Sequence, residues 1–481
     1  MKYVSWTICL LGFLLYEGRC VKVKYDGDQV LKVTPQTPQQ VQYLQELSVQ
    51  WRLDLWKPDI IQDIYPGGEA HIRVQSVYVQ KMKENLVQQH IPFKIMIEDV
   101  QKLIDRSSVS LQSTGPISLE NYDYTIYHPM NEIYEWMDRI KDKYNNVVTK
   151  HLLGHTYEEK PIYYFKMGLP SKESKKVVFL DCGIHAREWI AVAYCQWFMK
   201  EILARQQSDR LIRKLLRQVD FYVIPVLNID GYVYTWTTER LWRKNRSPQN
   251  NGTCFGVDLN RNFDAHWCTV GADADCESYV FCGPSAASEL ETKGVVKLFE
   301  QVKSSMLMYL SVHNYGKYIL LPYGYTTNQS AYHNEMETAA NKAIEKMKKE
   351  HNNEYTVGST SLILYSTSGT SGDWAADNNV TFSYTYELRD DGEFGFELPP
   401  DQIQPTCEET FTSMLALFEY LDENYLEPLD DLDGSAVAIG SLWLNTLVSI
   451  SVCVFYALTC SQPSAIIAIV SLYVRCLPCP P

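Results

Sequence analysis

The chain has 481 residues, enough for about two or three domains, and its 46% hydrophobic and 21% charged residues are typical of a globular protein. The formal net charge of -14 at pH 7 argues against nucleic acid and against anionic membrane surfaces as partners. Composition indicates no particular substrate.

Residues 1–20 have the pattern of a secretory signal peptide. Lys2 gives a charged start, residues 4–16 are apolar, and Gly18 lies in a cleavage site of small residues. A buried N-terminal helix is the alternative, which the strand-like pattern from Val21 disfavours. Secretion implies an oxidising compartment, so we expect an extracellular protein whose cysteines form disulfides.

Residues 21–115 are expected to form a small α+β domain and a linker. A strand-like piece at residues 72–79 follows a helix-like piece at residues 37–47. The Ser-rich residues 105–115 have no periodicity, which is typical of an exposed linker. Arg106 at the head of this stretch is a natural site for a trypsin-like protease.

Residues 116–426 alternate helical and strand-like patterns. The predicted strands are 176–181, 219–227, 306–312 and 382–388, and the predicted helices are 131–144, 190–203, 331–349 and 407–423. This alternation predicts an α/β fold with a mixed, largely parallel sheet and helices on both faces. Ligands of such sheets bind at the carboxyl ends of strands, where His185, His313 and Glu387 lie.

Residues 434–481 form a hydrophobic tail, and residues 434–474 contain no charged side chain. Residues 436–460 are long enough to span a bilayer. A buried core helix is the alternative, but a terminus so long and uncharged fits a soluble core poorly. Two kinds of membrane attachment remain open: a transmembrane anchor, or a lipid-anchor signal with residues 433–435 as the small-residue site.

His185 and Glu188 lie three residues apart, where the apolar residues 177–181 open into a loop. An imidazole and a carboxylate so placed can supply two ligands of a catalytic zinc, with a third ligand from elsewhere. The same spacing recurs at residues 155–158 and 351–354, where surface or capping roles are the better interpretation. The rest of the sequence separates His185 from these two cases.

Five segments together resemble the zinc metallocarboxypeptidases of the pancreatic A/B type. In the order of that family, they are DCGIHAREW at 181–189, LWRKNR at 241–246, GVDLNRNFD at 256–264, SVHNY at 311–315 and YELRD at 386–390. Each match is weak alone, and the five are highly specific jointly. Residues 21–115 likewise resemble the inhibitory pro-domain of the family, whereas the tail lies outside the resemblance.

The resemblance implies one Zn²⁺ per catalytic domain. Its ligands would be His185, Glu188 and His313, with a fourth position left for water. Asp258 matches the carboxylate that hydrogen-bonds a ligand imidazole and fixes its tautomer. A simple turn residue is the alternative for Asp258.

The resemblance also implies roles for the residues around the metal. Glu387 matches the general base, which takes a proton from the attacking water and delivers it to the leaving amine. Arg243 matches the guanidinium that stabilises the oxyanion. Asn260 and Arg261 match the clamp on the terminal carboxylate of the substrate, and Tyr365 matches a mobile tyrosine that closes over it. The positions that line adjoining subsites are matched by Arg187, Tyr315 and Phe396. For Tyr315 and Phe396, core packing is an equal alternative.

Six cysteines in the middle of the chain fit the same family. The disulfides that the resemblance implies are Cys182–Cys195, Cys254–Cys276 and Cys268–Cys282. Sequence alone allows many other pairings.

Gly372 is the main departure from the family. B-type enzymes carry an acidic residue at this position, acid-preferring relatives an Arg, and A-type enzymes a bulky apolar residue. The other expected lining residues are uncharged: Leu320, Gly324, Thr360, Leu364, Thr367 and Thr385. A charged substrate side chain would lack a partner there, which is costly. We therefore predict a neutral, roomy pocket for aromatic or aliphatic C-terminal residues, with a B-type preference for Lys or Arg as the alternative.

The predicted function is that of a secreted or cell-surface zinc carboxypeptidase zymogen. A trypsin-like protease would activate it, and it would then remove single C-terminal residues from peptides and proteins. A catalytically inactive peptide-binding surface protein is the alternative from another class, which the intact ligands, base and clamp disfavour. A zinc endopeptidase is disfavoured by the clamp at Asn260 and Arg261, and by the lack of a helical His-Glu-X-X-His motif.

Overall fold

The computed structural model describes residues 22–51, 53–107 and 118–428. The contacts of the chain divide it into residues 1–425 and 426–481, and only 426–428 of the second unit are described. The predicted signal at 1–20 and the predicted tail at 434–481 therefore lie outside the described residues. Within the described ranges, no helix is both long enough and apolar enough to cross a membrane.

The N-terminal domain is a four-stranded antiparallel sheet with three helices. Its strands are β1 (Gln29–Val33), β2 (Asp54–Lys57), β3 (Ala70–Val74) and β4 (Phe93–Ile97), in the order β2-β3-β1-β4. Its helices are α1 (Pro38–Trp51), α2 (Ser76–Gln88) and α3 (Val100–Ser107), and a short 3₁₀ turn covers Ile61–Asp63. Fully buried apolar side chains such as Leu31, Leu44 and Met82 form a core between sheet and helices.

The strand predicted at residues 72–79 was wrong in its second half. Strand β3 ends at Val74, and α2 begins at Ser76. The backbone N–H of Ser76 donates to Asp28 Oδ1 at 2.8 Å, which satisfies one of the amides that a helix leaves unpaired at its start. Val77 is 77% exposed, so it fills no core position of a strand. The contact with Asp28 thus favours a helix start at Ser76, although valine on its own prefers strands.

The domain that the resemblance predicts to be catalytic (the catalytic domain) contains, within the described residues, an eight-stranded mixed sheet in the order β13-β12-β14-β11-β7-β8-β6-β5. The strands are β5 (Val148–His155), β6 (Pro161–Met167), β7 (Lys176–Cys182), β8 (Val219–Ile224), β11 (Met306–Asn314), β12 (Tyr318–Leu321), β13 (Thr356–Ser359) and β14 (Phe382–Leu388), and β9 (Pro248–Gln249) with β10 (Cys254–Phe255) form a separate ribbon. Strands β8, β7, β11 and β14 run parallel to one another at the centre. The antiparallel strands β5, β6 and β12 were not predicted.

Nine helices of the catalytic domain lie within the described residues. They are α4 (Met130–Lys143), α5 (Trp189–Arg205), α6 (Arg210–Gln218), α7 (Ile229–Thr237), α8 (Leu290–Val302), α9 (His333–His351), α10 (Thr360–Ile363), α11 (Ser371–Asp377) and α12 (Ile403–Asn424). Short 3₁₀ turns cover Asn250–Gly252, Leu259–Arg261, Lys303–Ser305 and Pro400–Gln402. The four predicted helices coincide with α4, α5, α9 and α12.

Helices cover both faces of the central sheet. In β14, the Tyr384 hydroxyl donates to the Met336 carbonyl of α9 at 2.9 Å. The hydroxyl of the neighbouring residue, Ser383, donates to the Gly372 carbonyl of α11 at 2.7 Å. Successive side chains of a strand point to opposite faces, so α9 and α11 lie on opposite sides of the sheet.

We predict that Leu310→Ala destabilises the protein by about 2–5 kcal/mol, because it opens a cavity in the centre of the core. Leu310 is fully buried in β11, between β7 and β14. The measurement is the denaturant midpoint of unfolding of the variant and the wild type under identical conditions.

The matched control is Leu152→Ala. Leu152 lies in the edge strand β5 and is 51% exposed, so its truncation should cost less than about 0.5 kcal/mol. Equal losses at the two positions would contradict the placement of the core.

Candidate active site

Three side chains converge at the carboxyl ends of β7 and β11. His185 and Glu188 lie between β7 and α5, and His313 lies near the end of β11, the neighbour of β7. His185 Nδ1 is 2.8 Å from Glu188 Oε1, and His313 Nδ1 is 3.0 Å from Glu188 Oε2. The two Nδ1 atoms are 3.1 Å apart. All three side chains are nearly inaccessible to solvent.

This cluster fits a zinc ion. Two imidazole nitrogens and one carboxylate on a common point form the three-ligand donor set of catalytic zinc sites. Burial alone would raise the pKa of Glu188, but the adjacent His185 and His313 lower it below its usual range, so the carboxylate is ionised. In the described part of the chain, this is the one group of His, Cys, Asp and Glu side chains arranged to hold a metal ion.

Asp258 lies behind His185, on the side away from Glu188. Its Oδ1 is 3.0 Å from His185 Nε2, and its Oδ2 accepts a hydrogen bond from Arg243 Nε at 3.0 Å. Burial alone would raise the pKa of Asp258, but Arg243 and His185 hold it well below its usual range. An ionised Asp258 accepts a hydrogen bond from the N–H at His185 Nε2. The unprotonated Nδ1 then directs its lone pair toward Glu188.

Arg261 is fixed by the backbone around it. Its Nε donates to the Gly271 carbonyl at 2.6 Å and its Nη1 donates to the Asn260 carbonyl at 2.9 Å. Its Nη2 points into the cleft and donates to Asp59 Oδ2 at 2.7 Å. Arg243 Nη2 donates to the same oxygen at 3.1 Å. Two cationic side chains of the catalytic domain thus share one carboxylate of the N-terminal domain.

Asp59 was not predicted as a functional residue. Its side chain is 8% exposed. Burial alone would raise its pKa, but the charges of Arg243 and Arg261 lower the pKa of Asp59 below its usual range. The carboxylate is therefore ionised. It binds Arg261, the arginine that the family resemblance assigns to the terminal carboxylate of a substrate.

The N-terminal domain also covers the predicted subsite residues. Trp56 packs on Phe396 with ring centroids 5.0 Å apart and contacts the edge of Tyr315 at 6.4 Å. His71 Nδ1 is 2.8 Å from the Tyr315 hydroxyl, and burial, together with nearby lysines, lowers the pKa of His71 to about 3. The Arg187 guanidinium lies 3.9 Å from the Phe396 ring centre. Tyr315 and Phe396 line the cleft, whereas Arg187 lies behind it.

Glu387 lies directly opposite His313, because β14 pairs in parallel with β11. It lines the same cleft as His185 and Glu188. Burial, and secondly the charge of Glu188, raise the pKa of Glu387 well above its usual range. A carboxylate with a raised pKa is a stronger base than a solvated one. Tyr365 also lines the cleft, and burial raises the pKa of its phenol.

The predicted specificity pocket continues from this cleft. Six of its expected residues line it: Leu320, Thr360, Leu364, Thr367, Gly372 and Thr385. Gly324, the seventh expected residue, does not line the cleft directly; its amide donates to the Asp373 carboxylate at 2.9 Å. A Cβ at Gly324 would lie 2.2 Å from Thr367 Oγ1, so this glycine permits close packing behind the pocket wall.

Asp373 and Ser383 also line the pocket and were not predicted. Burial raises the pKa of Asp373 to about 7, against the hydrogen bond from the Gly324 backbone. Ser383 lies on the same face of β14 as Thr385 and Glu387, because these residues are two apart. The strict alternation of β14 could have identified Ser383, whereas Asp373 has no such signal.

Three disulfides form among the described residues. They are Cys182–Cys195, Cys254–Cys276 and Cys268–Cys282, the pairings that the resemblance implied. The first ties the end of β7 to α5, the two elements that flank His185 and Glu188.

Comparison with known proteins decides the family. The sequence profile of zinc carboxypeptidases matches residues 133–413, and that of the carboxypeptidase activation peptide matches residues 31–107. The chain belongs to the zinc carboxypeptidase family. It is 54% identical to carboxypeptidase O of Homo sapiens over 344 residues, which cover 72% of this chain and 91% of that protein. It is 38% identical to carboxypeptidase B2 of Bos taurus over 402 residues, which cover 83% and 95%.

Solved structures agree with this assignment. The crystal structure of thrombin activatable fibrinolysis inhibitor has a TM-score of 0.79 and 37% identity, covering 83% of this zinc carboxypeptidase and 100% of that chain. Carboxypeptidase A of Helicoverpa armigera has a TM-score of 0.74 and 26% identity, with coverages of 84% and 99%. The predicted fold class, the zinc cofactor and the metallocarboxypeptidase activity on peptide C-termini are therefore confirmed, together with an activation peptide.

We predict that Asp59→Asn raises the activity of the uncleaved zymogen. Removing the charge leaves Arg243 and Arg261 without their shared carboxylate, at a cost to docking of about 2 kcal/mol or more. The open fraction, and with it the hydrolysis of a blocked dipeptide by the uncleaved chain, should rise roughly 30-fold. Asp99→Asn is the control, because Asp99 belongs to the same domain and pairs with Lys102 instead.

The lowered pKa of Asp59 also sets the pH range of this contact. A carboxylate with a depressed pKa stabilises the docked state above its free pKa and loses that contribution as pH falls through the docked pKa. The ratio of uncleaved to cleaved activity should therefore stay constant from roughly pH 5 to 8. A ratio that rises on mild acidification would show that another group controls docking.

Proposed function

We propose that this chain is the zymogen of an extracellular zinc carboxypeptidase that releases single, neutral C-terminal residues. The observation that carries the proposal is one cleft in which His185, Glu188 and His313 converge beside Glu387 and Arg261. These groups supply the metal ligands, a base and a carboxylate anchor within one reaction volume.

Arg261 is proposed to bind the terminal carboxylate of the substrate. A planar guanidinium binds a carboxylate bidentately, and its backbone contacts already hold it in place. Asn260, fixed through its Oδ1 to the Ser371 amide at 2.9 Å, would contribute to the same anchor. Tyr365 would close over the bound terminus. In the zymogen, the Asp59 carboxylate occupies this anchor.

The side chains around the anchor are proposed to carry the reaction. When bound to His185, Glu188 and His313, zinc supplies a Lewis acid that polarises a carbonyl and activates water. Glu387 takes the proton of the attacking water and returns it to the departing amine. Arg243, held by Asp258 through its Nε, donates to the negative charge that develops on the scissile carbonyl oxygen.

The pocket is proposed to accept an aromatic or aliphatic side chain. Gly372 adds neither charge nor volume, and the neighbouring wall carries Leu320, Leu364 and Thr385. A charged side chain of the substrate would enter without an opposite charge at position 372.

One observation favours a second candidate, a B-type preference for Lys or Arg. The Asp373 carboxylate also lines the pocket. However, both its oxygens already accept the Gly324 amide, and burial raises its pKa to about 7, which reduces its charge at neutral pH. A neutral preference is therefore the leading proposal.

The wider organisation is proposed as predicted from the sequence. Residues 1–20 would be the signal peptide, 21–115 the activation peptide and linker, 116–426 the catalytic domain, and 434–481 a membrane attachment. Three disulfides suit an oxidising compartment. Arg106 lies in the last turn of α3, so a trypsin-like protease would cut there or just beyond.

We predict that Glu387→Gln lowers kcat by about 10²–10⁴-fold while the bound zinc stays at wild-type content, because the amide cannot accept the proton. Activity is measured after trypsin activation, and metal content by atomic emission. Glu291→Gln is the matched control, since burial raises the pKa of Glu291 to about 7 and this side chain does not line the cleft. Unchanged turnover in Glu387→Gln would reject this base, and absence of any chelator-sensitive release by the wild type would favour an inactive binding protein.

We predict that the wild-type enzyme releases Phe and Leu faster than Arg, Lys or Glu from matched blocked dipeptides. A Cβ at Gly372 would lie 3.2 Å from Thr385 Oγ1 and 3.6 Å from Ser383 Oγ, so a side chain there enters the pocket. Gly372→Asp should therefore raise the Arg-to-Phe ratio of kcat/KM by about 10-fold or more, because the added carboxylate can pair with the Arg side chain of the substrate.

Gly372→Asn controls for the volume added in this experiment, because it has nearly the shape of Asp without the charge. A wild-type enzyme that already prefers Arg would support the second candidate and its Asp373. Equal ratios in the Asp and Asn variants would place position 372 outside the substrate pocket.

A further inference from the structure

The two candidate ligand imidazoles are held from behind in different ways. His185 Nε2 contacts the Asp258 carboxylate directly. His313 Nε2 contacts the Ser311 hydroxyl at 3.0 Å, and that hydroxyl donates to Asp181 Oδ1 at 2.8 Å. Each imidazole therefore has a carboxylate behind it, reached in the second case through one serine.

Strand pairing places this chain of contacts. Ser311 and His313 lie two residues apart in β11, so both side chains point to the same face of the sheet. Ser311 pairs directly with Asp181 in the parallel neighbour β7. Asp181 and Ser311 are fully buried and His313 is 1% exposed, so these contacts are shielded from bulk solvent.

The direction of the hydrogen bonds follows from the number of protons. The Ser311 hydroxyl has a single proton, and the Asp181 carboxylate oxygen 2.8 Å away is its acceptor. The serine oxygen is then an acceptor toward His313, so His313 must carry its proton on Nε2. The Nδ1 lone pair is left free, and it points at Glu188 and His185.

One neighbour could oppose this arrangement. The Asn260 side-chain amide nitrogen lies 3.5 Å from His313 Nε2, at the limit of a hydrogen bond. Asn260 Oδ1 accepts from the Ser371 amide at 2.9 Å, which turns that nitrogen toward the ring. The contact with Ser311 is 0.5 Å shorter, so the serine determines which nitrogen of His313 is protonated.

We propose that Asp181, acting through Ser311, is a positioning residue that fixes the tautomer and orientation of His313 for zinc. The inference rests on the proposed function, because it takes His313 as a zinc ligand. A merely structural role, in which the pair ties β7 to β11, is the competing explanation.

The test measures the zinc dissociation constant of the intact zymogen by competition with a chelator. Ser311→Ala removes one atom from the chain of contacts, and Asp181→Asn keeps the shape but offers an amide that can donate to Ser311. Each variant should weaken zinc binding by about 10–100-fold, as expected for partners of a metal ligand. The loss of zinc affinity in the double variant should not exceed the larger of the two single losses, because both residues act through the same series of hydrogen bonds.

Ser413→Ala is the matched control. Ser413 is also a fully buried serine with a side-chain partner, the Tyr386 hydroxyl at 2.9 Å, and it lies in α12 away from the cleft. Ser413→Ala should lower the unfolding temperature of the zinc-free protein about as much as Ser311→Ala does. It should leave zinc affinity within about twofold of wild type.

The variant His313→Ala separates the positioning role of Asp181 and Ser311 from the assignment of His313 as a zinc ligand. If His313→Ala abolishes zinc binding but Ser311→Ala matches Ser413→Ala, the positioning role is wrong and the ligand assignment stands. If His313→Ala itself leaves zinc affinity unchanged, the proposed zinc site is wrong. If Asp181→Asn fails to fold, Ser311→Ala alone decides the question.

Discussion

The parallel register of β7, β11 and β14 is the constraint on which the site depends. It sets His313 opposite Glu387 and Ser311 opposite Asp181. The side-chain period of a strand is two, so a slip of one residue would turn His313 away from Glu188 and toward the face covered by α9. The apolar residues that alternate with these positions are fully buried, and that burial makes any other register costly.

The positive charges of the cleft are balanced by a carboxylate of the N-terminal domain, which activation is proposed to remove. In the zymogen, Arg243 and Arg261 share the Asp59 carboxylate. Asp258 also binds Arg243, whereas the hydrogen bonds of Arg261 to described residues of the catalytic domain go to backbone carbonyls. Removal of the N-terminal domain would therefore leave the Arg261 guanidinium without a directly bonded carboxylate, at the point where a terminal carboxylate is proposed to bind. The positive charge of Arg261 would thus bind the Asp59 carboxylate in the zymogen and the terminal carboxylate of the substrate after activation.

The sequence predicted the central strands well and the edges poorly. Strand β14 has the predicted bounds, because it alternates strictly and is flanked by turn residues. The edge strand β5 and its neighbour β6 were missed, since their half-exposed positions give no clear apolar pattern. Asp59 was also missed, because its partners lie 184 and 202 residues away and no local spacing reports such a contact. Its role depends on the docking of two domains.

Polar residues inside the buried strands carry more information than their number suggests. A buried polar side chain is costly unless a partner satisfies it, so polar positions of adjacent strands must lie on the same face and near one another. Asp181, Ser311 and His313 meet this condition across β7 and β11. Ser383 and Glu387 continue the same face in β14. Because most other residues of these strands are apolar, the period-two placement of these polar residues indicates which face of the sheet carries the site.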